Sequence, residues 1–327
     1  MKRDLLTLAD LTTTEIEEIF VLSKVLKAAL KSGRPHPRLA GRTLAMIFEK
    51  PSLRTRVSFE IGMFQLGGSS VYLAPQDIQL GRRESVSDIA RNLSRWVDMI
   101  VARTFSHETL VDLAAHSTVP VINGLSDWSH PCQVLADCFT LLEKRKRLAG
   151  LRLAFVGDGN NMVHSFLFAS AKLGIDFRLA CPPGYEPSPR ALEMAADMPG
   201  ARIRVTESVA EAVRDADVIY TDVWTSMGQE AEGARRRRAF RSYQVNREVL
   251  GMAAPNALVM HCLPAHRGEE ITDEVLDGPQ SIVLDQAENR LHVQKGIMVW
   301  LAQAAGERVR NARRPVRLLA RKKAASA

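Results

Sequence analysis

Short β-rich apolar runs alternate along this chain with amphipathic stretches, the pattern of parallel α/β sheets that carry helices on both faces. In the first half the expected strands are TLAMIF (43–48), SSVYLA (69–74), MIVART (99–104) and VPVIN (119–123). The clearest helix between them is 85–97, where Val86, Ile89, Leu93, Trp96 and Val97 share one face and Arg91 and Arg95 lie off it. Another helix opens after Ser52; Val57, Ile61 and Phe64 form one apolar face and Phe59, Met63 and Leu66 a second, and both are expected to bury it. A second series follows the charged run EKRKR, with strands LRLAFVG (151–157), FRLAC (177–181), IRVT (203–206), DVIYTDVW (217–224) and ALVMHCL (257–263). Helices are expected at 161–173, 189–197 and 208–215. The fold class that follows is α/β: two doubly wound parallel-sheet domains joined by a long helix at about 131–147. A C-terminal helix from roughly 292 to 310 is placed to pack back on the first domain. The expected division is 1–147, 148–306 and a basic tail at 307–327.

Composition supports two cores, since 327 residues with 46% apolar and 25% charged side chains have ordinary globular proportions. The first twenty residues hold five acids and no continuous apolar run, unlike a signal or transit peptide. No stretch approaches the ~18 uninterrupted apolar residues of a membrane span. Cys132, Cys138, Cys181 and Cys262 are too scattered for a disulfide framework, which fits a reducing, cytoplasmic setting. The formal charge of +7 is local: eight basic residues between Arg308 and Lys323 exceed it, leaving the rest of the chain at −1. That tail lacks the aromatic residues a nucleic-acid module would interleave with its charges, so neither nucleic acid nor membrane is an expected partner.

Open parallel sheets bind ligands beyond the carboxyl ends of their strands, and there the chemistry-bearing residues gather. Ser52, Leu53, Arg54, Thr55 and Arg56 follow a strand and open a helix. A helix start offers free N–H groups and the positive end of the macrodipole, and two arginine forks suit phosphate oxygens, so this segment is an anion trap. Arg103 ends the third strand, and His130-Pro131-Cys132-Gln133 opens the linking helix, with proline where its missing N–H costs nothing. His130 and Gln133, one turn apart, can donate to a carbonyl oxygen and accept from an amide.

With those residues in view, the chain resembles the ornithine carbamoyltransferases of the aspartate/ornithine carbamoyltransferase superfamily. SLRTR, the arginine of VARTF, HPCQ, GDGNN, DVWTSMGQE, HCLP and DQAENR occur in the family's order and spacing, and the resemblance runs from about residue 4 to 306. It implies transfer of a carbamoyl group from carbamoyl phosphate to the side-chain amine of L-ornithine, giving L-citrulline and phosphate in arginine biosynthesis. Carbamoyltransferases acting on N-acetylornithine or putrescine are the nearest alternatives. By resemblance, Ser52 to Arg56, Gln79, Arg103, His130, Gln133, Cys262, Leu263 and Arg290 bind carbamoyl phosphate. Asn161, Asp222, Ser226 and Met227 bind ornithine. Arg103, His130 and Cys262 are the implied catalytic residues, Cys262 as proton acceptor.

The resemblance also implies a homo-oligomer, a trimer or a multiple of trimers, in which the loop carrying Gln79 reaches a neighbouring subunit's site. No metal and no organic cofactor are expected. His261, Cys262 and His266 contain metal-ligating types, but strand neighbours point to opposite faces and no fourth ligand stands nearby. GDGNN lacks the GxGxxG turn of a dinucleotide site. Two segments depart from the family: the four-arginine run at 235–238, expected to be solvated, and the tail.

Overall fold

A computed structural model of the chain describes residues 2–81, 83–225, 230–304 and 306. In chain order the elements are α1 (Thr13–Lys31), β1 (Thr43–Phe48), α2 (Leu53–Gln65), β2 (Ser69–Leu73), α3 (Pro75–Ile78), α4 (Val86–Trp96), β3 (Met99–Arg103), α5 (His107–His116), β4 (Val121–Leu125) and α6 (Pro131–Arg145). There follow β5 (Arg152–Val156), α7 (Asn161–Leu173), β6 (Asp176–Ala180), α8 (Pro189–Ala196), β7 (Arg202–Thr206), α9 (Val209–Val213) and β8 (Val218–Thr221). The last elements are α10 (Gly233–Phe240), α11 (Arg247–Gly251), β9 (Leu258–His261), α12 (Asp273–Leu276) and α13 (Val283–Ala304).

The strands form two wholly parallel sheets, ordered β2-β1-β3-β4 and β7-β6-β5-β8-β9. Strand order reverses between β1 and β3 in the first and between β5 and β8 in the second, and a crevice opens at each such switch point. Arg103 pairs in register with Phe48, so the end of β3 stands directly beside the loop that leads into α2. Asp158, Asn160 and Asn161 follow β5, and Asp222 follows β8, at the second crevice.

Helix α6 joins the domains and α13 closes the molecule, packing on α1, α2 and α6. This confirms two α/β domains with the last helix returning to the first. Helix α1 is not among the helices expected from the spacing. Thr12 caps it and Glu15 returns the bond in a reciprocal box, while Ile16, Ile19, Phe20 and Leu26 turn inward. At its crossing with α13 the chain requires a glycine: a Cβ on Gly296 would lie 2.3 Å from Ser23 Oγ and 2.9 Å from the Ile19 carbonyl oxygen.

Three expectations need correction. Helix α13 begins at Val283, nine residues before the expected start, because its first turns bury Gln286, Asn289, Arg290 and His292 rather than an apolar stripe. Trp96 is 71% exposed, since α4 ends there and only Ile89, Ala90 and Leu93 reach the core. Phe59 and Met63 bury α2 as expected, but Val57, Ile61 and Phe64 on its other face are exposed among the described residues. The tail at 307–327 lies outside the described residues.

Candidate active site

The site forms where the carboxyl ends of both sheets meet. Ser52 caps α2 by accepting from Thr55 N–H, which orients the first turn towards the crevice beside β3. Thr55 is buried and its hydroxyl oxygen accepts from Arg290 Nη2 at 2.9 Å, leaving the hydroxyl hydrogen free to donate into the cleft. Arg290 reaches this point from α13, and its other terminal nitrogen donates to Gln133 Oε1 on α6.

Positive charge is concentrated here. Burial lowers Arg54, and burial together with Arg290 and Arg54 brings Arg103 down to about 10. Arg290 is fully enclosed and likewise lowered, first by burial. Among the described residues none of the three forms an ion pair, and Arg103 Nε and Arg290 Nε are buried with no hydrogen-bond partner. His130 is the N-cap residue of α6 but makes no capping bond; its backbone N–H donates to Ser165 Oγ and its Nδ1 is unpartnered. Burial first, then Arg290, Arg103 and Arg54, hold it well below the usual imidazole value, so it stays neutral. Buried donors that find no protein acceptor are costly, and a bound anion is what satisfies them.

Asp222 faces this cluster from the second domain. Its Oδ1 accepts from Cys262 Sγ at 2.9 Å and from Val223 N–H, and its Oδ2 accepts from Asn160 Nδ2. Cys262 therefore enters the site as a donor, and burial followed by the Asp222 charge raises its thiol well above the ordinary range. That geometry opposes the expected proton-acceptor role. Leu263 N–H donates to His261 Nδ1, which places the proton on Nε2, and Nε2 donates to the buried Glu270 carboxylate at 3.0 Å. Glu270 also accepts from His266 N–H, so one carboxylate that the sequence reading passes over pins both ends of the turn at 261–266. The side-chain atoms of Asp222, His261 and Cys262 that could ligate a metal lie within 4.8 Å of one another, closer than strand alternation implies, because β9 ends at His261.

Other expected residues are placed differently. Arg56 is exposed and lays its guanidinium over the Tyr72 ring, 3.8 Å from the centroid. Asn161 donates to the Ser126 carbonyl at 2.6 Å, tying α7 to the first domain at the cleft. Gln79 is exposed on the loop after α3, with φ of 44°. Ser226 and Met227 lie outside the described residues. The four-arginine run is not wholly solvated: Arg236 is buried, bonded to Asp158, donating through Nε to the Trp224 carbonyl, and set over the Tyr185 ring. This pair anchors α10 beside GDGNN.

Comparison with known proteins agrees with this geometry. The family description "Aspartate/ornithine carbamoyltransferase, carbamoyl-P binding domain" matches residues 3–143, and "Asp/Orn binding domain" of the same family matches 149–301. The ornithine carbamoyltransferase of Thermococcus kodakarensis is 54% identical over 299 residues, covering 90% of this chain and 95% of that protein. That of Methanothermobacter thermautotrophicus is 60% identical over 266 residues, covering 80% and 88%. Among solved structures, the ornithine carbamoyltransferase from Pyrococcus furiosus aligns with TM-score 0.88 at 53% identity, covering 91% of this chain and 96% of that one. A mitochondrial one from Coccidioides immitis aligns with TM-score 0.86 at 36% identity, covering 94% and 99%. With both domain descriptions matched in order and relatives this similar along most of its length, the chain belongs to the aspartate/ornithine carbamoyltransferase family.

Proposed function

We propose that this enzyme transfers the carbamoyl group of carbamoyl phosphate to the side-chain amine of L-ornithine, releasing L-citrulline and phosphate, as a step of arginine biosynthesis. The observation that carries the reading is the convergence of half-buried Arg54 with buried Arg103 and Arg290, whose Nε donors are left open; among the described residues none of the three is in an ion pair. A phosphate dianion meets that demand. In this reading residues 1–147 bind carbamoyl phosphate and 148–306 bind ornithine, the first-turn amides of α2 from Leu53 onward and Arg54 holding the phosphate.

Arg103, His130 and Thr55 would donate to the carbonyl oxygen, and they do more for the tetrahedral oxyanion than for the ground state because the charge develops there. Neutral His130 suits this role as a donor. The amine nitrogen forms its bond to the carbonyl carbon, the carbon–oxygen bond to phosphate breaks, and the arginines stabilise the leaving charge. The departing phosphate takes up the ammonium proton, since a buried thiol already donating to Asp222 is a poor acceptor. Asn161 and Asp222 would line the ornithine side, to which the resemblance also assigns Ser226 and Met227, and Asp222 favours a substrate bearing an α-ammonium.

The assembly we propose is a homotrimer or a multiple of it, supported by the uncovered apolar side chains of α2: Val57 at 47%, Ile61 at 42% and Phe64 at 75% exposure. Cytoplasmic residence is supported by four unpaired cysteines, and among the described residues no helix is long and apolar enough to cross a membrane. The deciding experiment supplies carbamoyl phosphate with ornithine, N-acetylornithine, putrescine or aspartate. Citrulline formation with strong preference for ornithine is expected, and turnover with another amine alone would overturn the reading.

A further inference from the structure

Gln133 sits between a donor on one side and an acceptor oxygen on the other. The Arg290 guanidinium can only donate, and it donates to Gln133 Oε1; the Asp137 carboxylate, one turn further along α6, accepts from Gln133 Nε2 at 2.8 Å. Only one orientation of the amide satisfies both. Gln286 is fixed in the same manner: its Oε1 accepts from His261 N–H at 3.1 Å, and its Nε2 donates to Asp137 Oδ1 at 2.8 Å. Tyr220 completes the set by donating to Asp137 Oδ2 at 2.9 Å. Two directional chains, one from α13 and one from the end of β9, therefore terminate on a single carboxylate. Asp137, Gln133, Gln286 and Tyr220 are all buried, so water does not compete for these bonds.

The orientation has a chemical consequence at the cleft. One lone pair of Gln133 Oε1 is taken by Arg290, and the second is free to accept. A reversed amide would set NH2 against both Arg290 and an incoming carbamoyl NH2, donors against donors. We infer that Asp137 is a positioning residue that makes Gln133 an acceptor towards the cleft, and so selects an acyl phosphate bearing NH2 over the isosteric one bearing methyl. This rests on the transfer reaction proposed above, with the further assignment that Gln133, bonded to Arg290 beside Thr55, meets the carbamoyl nitrogen.

The test compares the full-length wild type with Asp137→Leu and Asp137→Asn, with folding checked by circular dichroism. It measures KM for carbamoyl phosphate and the inhibition constants of acetyl phosphate and inorganic phosphate. Asp137→Leu should raise KM for carbamoyl phosphate about tenfold or more while moving the other two constants less than about threefold, because only the contact to NH2 is lost. Asp137→Asn, whose oxygen can still accept from both amides, should restore the selectivity. Should the leucine variant not fold, Asp137→Ser reads the same ratio. Constants that rise in parallel, an unchanged KM, or an asparagine variant as unselective as the leucine one would overturn the inference. Absence of citrulline from the wild type would instead mark failure of the reaction on which it rests.

Discussion

The thiol of Cys262 donates to the Asp222 carboxylate, with Sγ 2.9 Å from Oδ1. A cysteine so placed is protonated near neutrality, because burial and the adjacent negative charge both disfavour the thiolate. Cys262→Ser keeps a donor for Asp222 and should therefore lower kcat by less than about tenfold with no displacement of the pH profile. Loss of a general base would cost roughly 100- to 10,000-fold. A loss of that size, or a moved profile, would restore Cys262 as the proton acceptor.

Arg54 lies in the first turn of α2 within reach of the Asp222 charge, although among the described residues no ion pair engages it. Arg54→Ala should weaken carbamoyl phosphate binding by about 2 to 5 kcal/mol, since the bound dianion would lose a charge-assisted partner. Steady-state kinetics with carbamoyl phosphate as the varied substrate would show it. A Michaelis constant within threefold of the wild type would remove this loop from the phosphate site.

Much of this architecture is legible from periodicity, and its failures have physical causes. The nine strands among the described residues lie within a few residues of their expected positions; the buried central ones read as short apolar runs between turns. The start of α13 is obscured because residues that serve the cleft replace its apolar stripe: Arg290 holds Gln133 and Thr55, and Gln286 holds His261 and Asp137. Phe64 and Trp96 look like core residues because hydrophobicity does not reveal which apolar face its own chain covers. Asp137 carried a usable signal, four residues after Gln133 and hence on the same helical face. Glu270 carried none, because its partnership with His261 depends on how the chain turns after β9.

Arg236 and Asp158 form a buried pair, and removing one member leaves the other charge enclosed. Arg236→Leu should destabilise the fold by about 3 to 5 kcal/mol. The double change Arg236→Leu with Asp158→Leu should recover much of that loss. Thermal unfolding of the two variants decides it; a single variant melting with the wild type would make the pair dispensable.

Asp137 imposes a pH dependence whose sign follows from burial. Enclosure raises its carboxyl from the usual 3.8 to about 7, although hydrogen bonds from Gln133, Gln286 and Tyr220 pull downward. Between these values the folded chain retains a proton that the unfolded chain releases, so stability falls as pH rises through that window, by at most about 4 kcal/mol. Asp137→Asn lacks this term. Its stability relative to the wild type should grow from pH 4 to 7 and level off above, as urea unfolding at fixed protein concentration would show. Parallel curves would mean that Asp137 does not titrate in this range.

Gln79 is exposed on the loop after α3, whereas Thr55, Arg290 and Gln133 are buried together, although the family resemblance assigns it with them to carbamoyl phosphate. The two statements agree if the loop serves the site of a neighbouring subunit, across the face where Val57, Ile61 and Phe64 lie uncovered. Every site would then straddle a subunit boundary, and a lone subunit would be inactive however well it folded. Arg54→Ala subunits should be inactive in their own assemblies, and Gln79→Ala subunits strongly impaired in theirs. Mixed and reassembled, the two should regain activity, because some boundaries pair an intact Arg54 from one chain with an intact Gln79 from the next. Native mass spectrometry can count the hybrids. If hybrids form and activity does not return, Gln79 acts in its own chain or not at all.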